Sequence, residues 1–331
     1  NEAEYDVFEM WNDIAYHYAL DPNRTAITGY SMGGYATYRL GTLYPDLFGK
    51  AMTVVGPPAD GIWVPPLPPT GGNETLSNLW LENARNLPYL NIVSAEDELV
   101  PITGTTQQSI GPAVNGMTSF DALSYRYRFD VYNPGDHLHL ALLSYDLPQG
   151  PEFLGRADVD RNPDHVTFSY TPAADDSRLG LVHDHAYWVA GVTLADGKVG
   201  APVPEATVDV RTHARGRGDP ASVRSQGVGT VPTPYTSVSR TWADPPAIPV
   251  ENKLTATLTN VGRVTLDARR AGLDIDRDVV LDITATTDGV VLVAGEGADA
   301  AVSVRAGRAT YVLAAGELRG APAFDGGRVL A

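Results

Sequence analysis

The chain contains no cysteine among its 331 residues. This absence excludes disulfide bonds, thiolate metal ligands and a cysteine nucleophile at once. It does not fix the cellular compartment, because a secreted bacterial protein can also do without cysteine.

Long apolar runs and basic charge are both scarce. No uninterrupted apolar run approaches the ~20 residues that a membrane-spanning helix needs, so we expect no membrane span. Lysine and arginine number 24 against 40 aspartates and glutamates, which gives a net charge of −16. A chain this acidic lacks the positive surface that binds phosphate backbones, so we expect no nucleic-acid partner.

The usual features of a chain start are also missing. The sequence begins at Asn1 rather than at Met, and it shows no charged region, apolar region and cleavage site of a signal peptide. We interpret this N-terminus as a processed end or a cut fragment.

What is present is the composition of a globular protein. Hydrophobic residues make up 43% of the chain and charged residues 19%, which argues against extensive disorder. The length suits about two domains, and the hydrophobic pattern changes near residue 150. We therefore expect one domain over residues 1–150 and another over residues 151–331.

Residues 1–150 alternate between helical and strand patterns. Helical spacing covers residues 4–20 and 34–43, and a last helix could begin within 137–145. Short apolar runs that indicate strands lie at 24–28, 51–55, 90–94 and 125–131. Strands that alternate with helices predict an α/β domain whose parallel sheet is covered on both faces.

From residue 151 onward, short runs alternate apolar and polar residues with period two. These runs lie at 165–170, 206–210, 253–258, 279–284, 290–293, 301–304 and 310–313. Gly, Pro and Asp-Gly turns separate them, a pattern typical of an antiparallel all-β sandwich. The stretch 214–249, rich in Gly, Pro, Ser and Thr, is expected to be a long irregular loop or an inserted hairpin within this half.

One motif points to catalytic chemistry. The hexapeptide GYSMGG at residues 29–34 follows an expected strand and opens an expected helix, which is the context of a nucleophile elbow. Ser31 would project above the sheet there, and the N–H of Met32 at the helix start would face a developing oxyanion. Small residues two positions before and two after the serine would let strand and helix pass closely. The alternative is a Gly-rich turn with a structural serine.

A serine hydroxyl needs a base, and the base needs an acid that orients it. In folds with this elbow the order along the chain is serine, acid, histidine. Asp97 follows an expected strand and is our choice of acid over the flanking Glu96 and Glu98, which we expect to be solvated. His137 follows the next strand and a turn, and is our choice of base over His139.

Three segments together carry a resemblance to a known family: DPNR at 21–24, GYSMGG at 29–34 and YPDLF at 44–48. Over about residues 1–146 the chain resembles the α/β-hydrolase superfamily. The most similar branch is that of esterases and prolyl-oligopeptidase-like enzymes, which includes polyhydroxybutyrate depolymerase-like and feruloyl esterase-like enzymes. The resemblance implies that these residues form the C-terminal part of an α/β-hydrolase sheet.

The resemblance also implies roles for the candidate residues. Ser31 would attack the substrate, His137 would act first as base and then as acid, and Asp97 would orient the histidine. The N–H of Met32 would form half of the oxyanion hole. No cofactor is expected, and we expect a secreted or extracellular protein.

The chain departs from that family at its beginning. The elbow normally follows the fifth strand of an eight-stranded sheet, whereas here only one expected helix and one expected strand precede it. Several early strands and the loop with the second oxyanion N–H are therefore missing, and the sheet would expose a hydrophobic edge. We expect an N-terminal polypeptide from a nicked or processed precursor to supply them. The alternative is an incomplete record of the enzyme.

The proline-rich loop 56–72 follows an expected strand beside the elbow. We expect it to form a stiff apolar lid over the site, and the alternative is a rigid surface loop. Tyr30 and Trp63 are the residues that we expect to contact the substrate. That substrate is predicted to be an ester with an apolar or aromatic group.

No metal is expected, although two segments invite the question. The segment 158–164 places oxygen ligands at alternate positions, as calcium loops do, but Pro163 and Ser169 stand where such loops need Gly and Glu. His183 and His185 would lie on one side of a strand, where zinc could use them, yet the sequence shows no third ligand nearby. We interpret the first segment as a solvated linker and expect no zinc at the second.

Two classes of function remain open. The first is a serine hydrolase that cleaves carboxylic esters, among them polyesters or aromatic esters, through an acyl-enzyme; a prolyl-oligopeptidase-like peptidase is its alternative. The second is a noncatalytic binding or scaffold protein that kept the elbow. For residues 151–331 we expect a role in stability or substrate access, with polymer binding as the alternative.

Overall fold

The computed structural model describes residues 2–114, 116–142, 147–199 and 203–319, together with a short strand at 328–329. They divide into two compact units that do not follow the order of the chain. The first unit comprises Asn1–Asp160, Asp176–Leu181 and Ala221–Ala243, and the second comprises Arg161–Asp175, Val182–Pro220 and Asp244–Ala331. The main boundary thus lies near residue 160 rather than 150, and the segment 221–243 returns to the first unit.

The described α-helices all lie in the first unit. They are α1 (Glu2–His17), α2 (Met32–Leu43), α3 (Ile102–Ile110), α4 (His137–Leu142) and α5 (Gln149–Leu154). Short 3₁₀ helices lie at Asn73–Thr75, Ser77–Asn86 and Pro172–Ala174. The last helix expected within 137–145 begins at His137 as α4, and residues 143–146 lie outside the described residues. Among the described helices, none has both the length and the apolar character needed to cross a bilayer.

The strands are distributed over both units and are numbered in chain order. They are β1 (Ala26–Tyr30), β2 (Lys50–Val54), β3 (Tyr89–Ser94), β4 (Tyr127–Tyr132), β5 (His165–Tyr170), β6 (Val189–Leu194), β7 (Ala206–Thr212), β8 (Ser222–Gly229), β9 (Tyr235–Trp242), β10 (Lys253–Thr259), β11 (Val261–Asp267), β12 (Val279–Ala285), β13 (Gly289–Ala294), β14 (Asp299–Val304), β15 (Gly307–Leu313) and β16 (Arg328–Val329). Most of them lie within two or three residues of the apolar runs in the sequence.

The first unit is built on one six-stranded sheet in the order β1-β2-β3-β4-β9-β8. Strands β1 to β4 run parallel, as the alternating sequence pattern predicts, and β3 is buried along its whole length. Since the carboxyl ends of parallel strands meet at one edge of a sheet, the segments after β1, β3 and β4 lie side by side there.

The N-terminal helix is attached to the first unit through a buried carboxylate. Glu4 is the only buried residue of α1; its carboxylate accepts hydrogen bonds from Arg39 Nε at 3.1 Å and from the Tyr44 hydroxyl at 2.8 Å. Aromatic edges add to this contact, since the ring of Phe8 lies 4.9 Å from that of Tyr44. A buried charge needs such partners, so this ion pair fixes where α1 lies on α2.

The stretch 214–249 contains a hairpin, which is one of the two structures expected for it. This hairpin belongs to the sheet of the first unit. Strands β8 and β9 pair with each other antiparallel. Strand β9 also pairs antiparallel with β4, from Tyr127 opposite Arg240 to Tyr132 opposite Tyr235. The expectation that this stretch lies within the β-rich second half is therefore wrong.

Ion pairs and an indole hydrogen bond hold the base of this hairpin. Asp121 accepts from Arg240 Nε at 2.7 Å and from Arg224 Nε at 3.1 Å. The indole N–H of Trp242 donates to the carbonyl of Ser124 at 2.8 Å. These contacts satisfy polar groups on both strands and explain why the hairpin pairs with β4.

The second unit contains two sheets, one in the order β16-β15-β12-β10-β7-β5 and one in the order β14-β13-β11-β6. One continuous core of buried apolar side chains draws on both sheets. The expected purely antiparallel pairing is wrong, because β10 pairs parallel with β12 and β11 pairs parallel with β13. The chain alternates between the two sheets over β10 to β13, so neighbours within each sheet run in the same direction.

Candidate active site

Ser31 stands on a strained turn between β1 and α2. Its backbone has φ 55° and ψ −119°, in the left-handed half of conformational space that a residue with a side chain rarely adopts. Its N–H donates to the carbonyl of Val54 at 2.9 Å, and its own carbonyl accepts from the N–H of Gly34 at 2.8 Å. This turn lifts the serine out of the strand at the carboxyl edge of the sheet.

The turn depends on a glycine at the end of β1. A Cβ built on Gly29 would lie 2.0 Å from the carbonyl oxygen of Gly33, so only glycine lets the strand pass this close to the helix. Gly33 itself faces open space, with no atom within 4 Å of a Cβ placed there. Of the two small residues expected around Ser31, the one before it is therefore sterically required and the one after it is not.

The side chains of Ser31, His137 and Asp97 form a continuous hydrogen-bonded chain. His137 Nε2 lies 2.9 Å from Ser31 Oγ, and His137 Nδ1 lies 2.8 Å from Oδ2 and 3.0 Å from Oδ1 of Asp97. The imidazole and the carboxylate are almost fully buried, at 4% and 1% exposure. A proton on Nδ1 can bond to the carboxylate, which leaves the Nε2 lone pair to accept the serine hydroxyl.

The carboxylate of Asp97 is held by its own loop. Its Oδ1 accepts the backbone N–H groups of Leu99 and Val100 at 2.9 and 2.7 Å. Glu96 and Glu98 are exposed, but Glu98 is not merely solvated, because its Oε2 accepts the backbone N–H of His137 at 3.2 Å. Sequence reasoning missed this contact, since it depends on how two loops approach each other.

His139 lies outside the hydrogen-bonded chain. Its Nε2 is 3.4 Å from the hydroxyl of Thr233, and its backbone N–H donates to Asp136 Oδ1 at 2.7 Å. Asp136 thus caps the start of α4 and is itself exposed. Of the two histidine candidates, the structure places His137 against Ser31 and His139 against Thr233.

Tyr30 contacts the histidine rather than an open surface. Its hydroxyl donates to the backbone carbonyl of His137 at 2.8 Å, and the two rings lie 5.2 Å apart. Burial, together with the charges of Asp97, Asp136 and Glu98, raises the pKa of this hydroxyl. It therefore stays protonated and keeps donating at any ordinary pH.

The backbone N–H of Met32 occupies the first position of α2, where no earlier helical carbonyl can accept it. Within the described chain it makes no hydrogen bond, and the Met32 side chain is 56% exposed. The N-terminal end of a helix carries partial positive charge. This N–H can therefore receive an oxygen anion beside Ser31.

Trp63 is buried rather than open to solvent. It is 3% exposed and lies in a small apolar cluster with Ala59 and Leu76. This burial does not fit the predicted contact with a substrate, because the ring packs among apolar side chains that include Leu76, Leu79 and Met117 from outside the loop 56–72. The exposed apolar side chains of the loop are Ile62, Val64 and Leu67.

The side chains of both candidate metal segments have other partners. His183 is buried against Asp175, with 3.0 Å between Nδ1 and Oδ1, whereas His185 lies 3.1 Å from Asp184. Asp158 pairs with arginine side chains. Across the described ranges no group of three or more His, Asp or Glu side chains is placed to hold a metal ion.

A model of the prolyl oligopeptidase family matches residues 2–58. The matched segment holds α1, β1, the turn at Ser31, α2 and β2, but neither Asp97 nor His137. A search of curated proteins found no significant match.

Two solved structures show weak likeness to the chain. A puromycin-hydrolyzing peptidase of Mycobacterium tuberculosis gives a TM-score of 0.32 at 20% identity, covering 40% of this chain and 22% of that one. An acylaminoacyl peptidase of Pyrococcus horikoshii gives a TM-score of 0.34 at 18% identity, covering 47% and 28%. The chain thus spans less than a third of either relative, and none of the comparisons points to the esterase branch.

Proposed function

We propose that this chain carries the catalytic machinery of a serine hydrolase. The observation that supports it best is the continuous contact from Ser31 Oγ through His137 to Asp97, at 2.9 and 2.8 Å. A buried imidazole held between a carboxylate and a serine on a strained turn has the parts that nucleophilic catalysis needs.

In the proposed reaction Ser31 Oγ attacks the carbonyl carbon of the substrate while His137 Nε2 takes the hydroxyl proton. The carbonyl oxygen becomes an anion, which the N–H of Met32 stabilises. The bond to the leaving group then breaks, and His137 returns the proton to that group. Water, deprotonated by His137, next attacks the acyl-serine ester. The bond between the acyl carbon and Ser31 Oγ breaks, His137 returns the proton to Oγ, and a carboxylic acid is released.

For the substrate we propose a peptide or related amide bond first. The match to the prolyl oligopeptidase family over residues 2–58 supports this choice. Carboxylic esters are the second candidate, because the same machinery cleaves them and because Ile62, Val64 and Leu67 are exposed on the loop 56–72. Such side chains suit an apolar or aromatic acyl group.

A fluorophosphonate probe tests the proposal directly, since it reacts covalently only with an activated serine. We expect labelling of the full-length protein, loss of labelling in Ser31→Ala and unchanged labelling in Ser225→Ala, which alters a serine on the outer strand of the hairpin. Absence of labelling in the wild type would instead support the noncatalytic binding protein. Peptide anilides and nitrophenyl esters with the same acyl group then rank the two bond types by kcat/KM.

We also propose that a segment outside residues 1–331 pairs with β1. This strand ends the order of its sheet, and no described residue pairs with its outer edge; an open edge of this kind favours strand addition. Such a segment would supply the strands and the second oxyanion N–H that the family resemblance leads us to expect. Slower amide exchange over residues 26–30 in the complete natural protein than in the 331-residue chain would support it, and equal exchange would contradict it.

A further inference from the structure

The short loop from β4 to His137 is held on one side by the loop that carries Asp97. The N–H of Ala95 donates to the carbonyl of Tyr132 at 2.8 Å, and the N–H of Glu96 donates to the carbonyl of Gly135 at 3.0 Å. These two bonds fix the separation between the acid and the base. Both bonds lie on the same side of the His137 loop.

The hairpin β8–β9 contacts the other side of the His137 loop, because β9 lies across β4 from β3. The N–H of Asn133 donates to the carbonyl of Pro234 at 3.2 Å. Directly beside it, Tyr132 is paired with Tyr235, and their rings lie 4.9 Å apart at an angle of 32°. His137 follows a few residues later, so the hairpin contacts the beginning of the loop that leads to the imidazole.

Tyr235 is itself held in place by polar contacts with β4. Its hydroxyl accepts a hydrogen bond from Arg128 Nη2 at 3.0 Å, and Arg128 Nε donates to Asp130 Oδ1 at 2.9 Å. Asp130 is fully buried, and burial raises the pKa of its carboxyl group. The ring of Tyr235 also packs against the apolar cluster that contains Leu140 of α4, the helix that begins at His137.

We propose that the hairpin supports the active site through Tyr235 and that Tyr235 is a positioning residue for His137. The inference rests on the proposed function of the Ser31, His137 and Asp97 side chains. Removal of the Tyr235 ring frees Tyr132 and the start of the loop, so His137 Nε2 no longer stays within hydrogen-bond reach of Ser31. A misplacement of about 1 Å at such a contact costs on the order of 10²-fold in rate.

The hairpin comes from a late part of the sequence. The segment Ala221–Ala243 is entered from Pro220 and left at Asp244, and both of these residues belong to the second unit. The base of the catalytic loop is thus completed by residues about a hundred positions later in the sequence. Activity of the first unit therefore requires the later part of the chain.

The test compares Tyr235→Ala and Tyr235→Phe with the control Val228→Ala, which changes an 83% exposed hairpin residue. We expect Tyr235→Ala to lower the rate of fluorophosphonate labelling and kcat by ~10–100-fold, with KM changed less than ~3-fold. Amide exchange should become faster over residues 133–139 and not across the sheet as a whole. Tyr235→Phe keeps the ring and should stay within ~3-fold of wild type.

Each outcome decides one claim. If the wild type labels at Ser31 and Tyr235→Ala labels equally fast, or if exchange over 133–139 is unchanged, the positioning role is overturned. If no protein labels while Tyr235→Ala still speeds exchange over 133–139, the hairpin holds the loop and the proposed hydrolase function fails. Should Tyr235→Ala lose its fold by circular dichroism, Tyr235→Leu, which keeps apolar bulk but not the ring, carries the same comparison.

Discussion

Gly34 and Gly56 pass each other so closely that a Cβ built on Gly34 would lie 2.5 Å from the Cα of Gly56. The first residue belongs to the helix after Ser31, and the second lies just beyond β2, where the loop 56–72 begins. Their contact sets the distance between the nucleophile turn and that loop. Two glycines that are far apart in the sequence thus shape one edge of the site.

This contact predicts opposite results for two adjacent glycines. Gly34→Ala forces backbone apart and should lower the free energy of unfolding by ~1–3 kcal/mol. Gly33→Ala meets open space and should leave stability unchanged or raise it by up to ~1 kcal/mol, because alanine favours the helix. Urea unfolding of both variants measures the difference, and equal destabilisation would contradict the geometry.

The two histidines of the catalytic loop predict a second contrast. His137→Ala removes the proposed base and should lower kcat by at least ~10³-fold with little change in KM. His139→Ala removes only a long contact to Thr233 and should keep most of the activity. Steady-state kinetics on one substrate distinguishes them. If His139→Ala is inactive and His137→Ala is active, His139 is the base instead, and Ser31 remains the nucleophile.

Much of the candidate site could be predicted from the sequence, because Ser31, Asp97 and His137 each follow a short apolar run. The carboxyl ends of parallel strands meet at one edge, so side chains placed just after such strands converge there. The contact of Glu98 with the backbone of His137 could not be predicted, since it depends on the relative height of two loops.

Strand pairing was the main limit of sequence reasoning. A period-two pattern shows that a strand has two different faces, but not which edge it joins or in which direction its neighbour runs. The hairpin therefore could not be assigned to β4. The hairpin residue Arg240 contacts Asp121, which lies 119 positions earlier in the sequence. The burial of Trp63 was hidden for a related reason, because apolar composition alone does not tell which side chains of a loop face inward.

Glu98 yields a prediction about loop positioning. Its carboxylate accepts the first N–H of α4 at His137, and one such bond contributes ~0.5–1.5 kcal/mol. Glu98→Ala should therefore lower kcat by ~2–10-fold, whereas Glu98→Gln, which keeps an acceptor oxygen, should restore most of it. Exposed Glu96, changed to Ala, serves as the matched control. Equal losses in the Ala and Gln variants at Glu98 would show that its charge, and not the hydrogen bond, matters.

Asp121 predicts how the hairpin responds to acid. Although partial burial alone would raise it, the pKa of Asp121 is lowered because Arg240 and Tyr127 donate hydrogen bonds to the carboxylate and because Arg240 and Arg224 carry positive charge. A depressed folded-state pKa means that the stability from this group is fully present above the unfolded value of ~3.9. That stability is lost as the pH falls through the folded value.

Asp121→Asn should therefore lower the free energy of unfolding by ~1 kcal/mol at neutral pH, a size typical of partly exposed ion pairs. The difference from wild type should hold down to about pH 5 and shrink below about pH 4, where the wild-type carboxylate also becomes neutral. The exposed Asp6 on α1, changed to Asn, is the control and should show no such convergence. Thermal unfolding of the three proteins across this pH range measures the effect, and a gap that stays constant into acid would rule out the ion pairs as its cause.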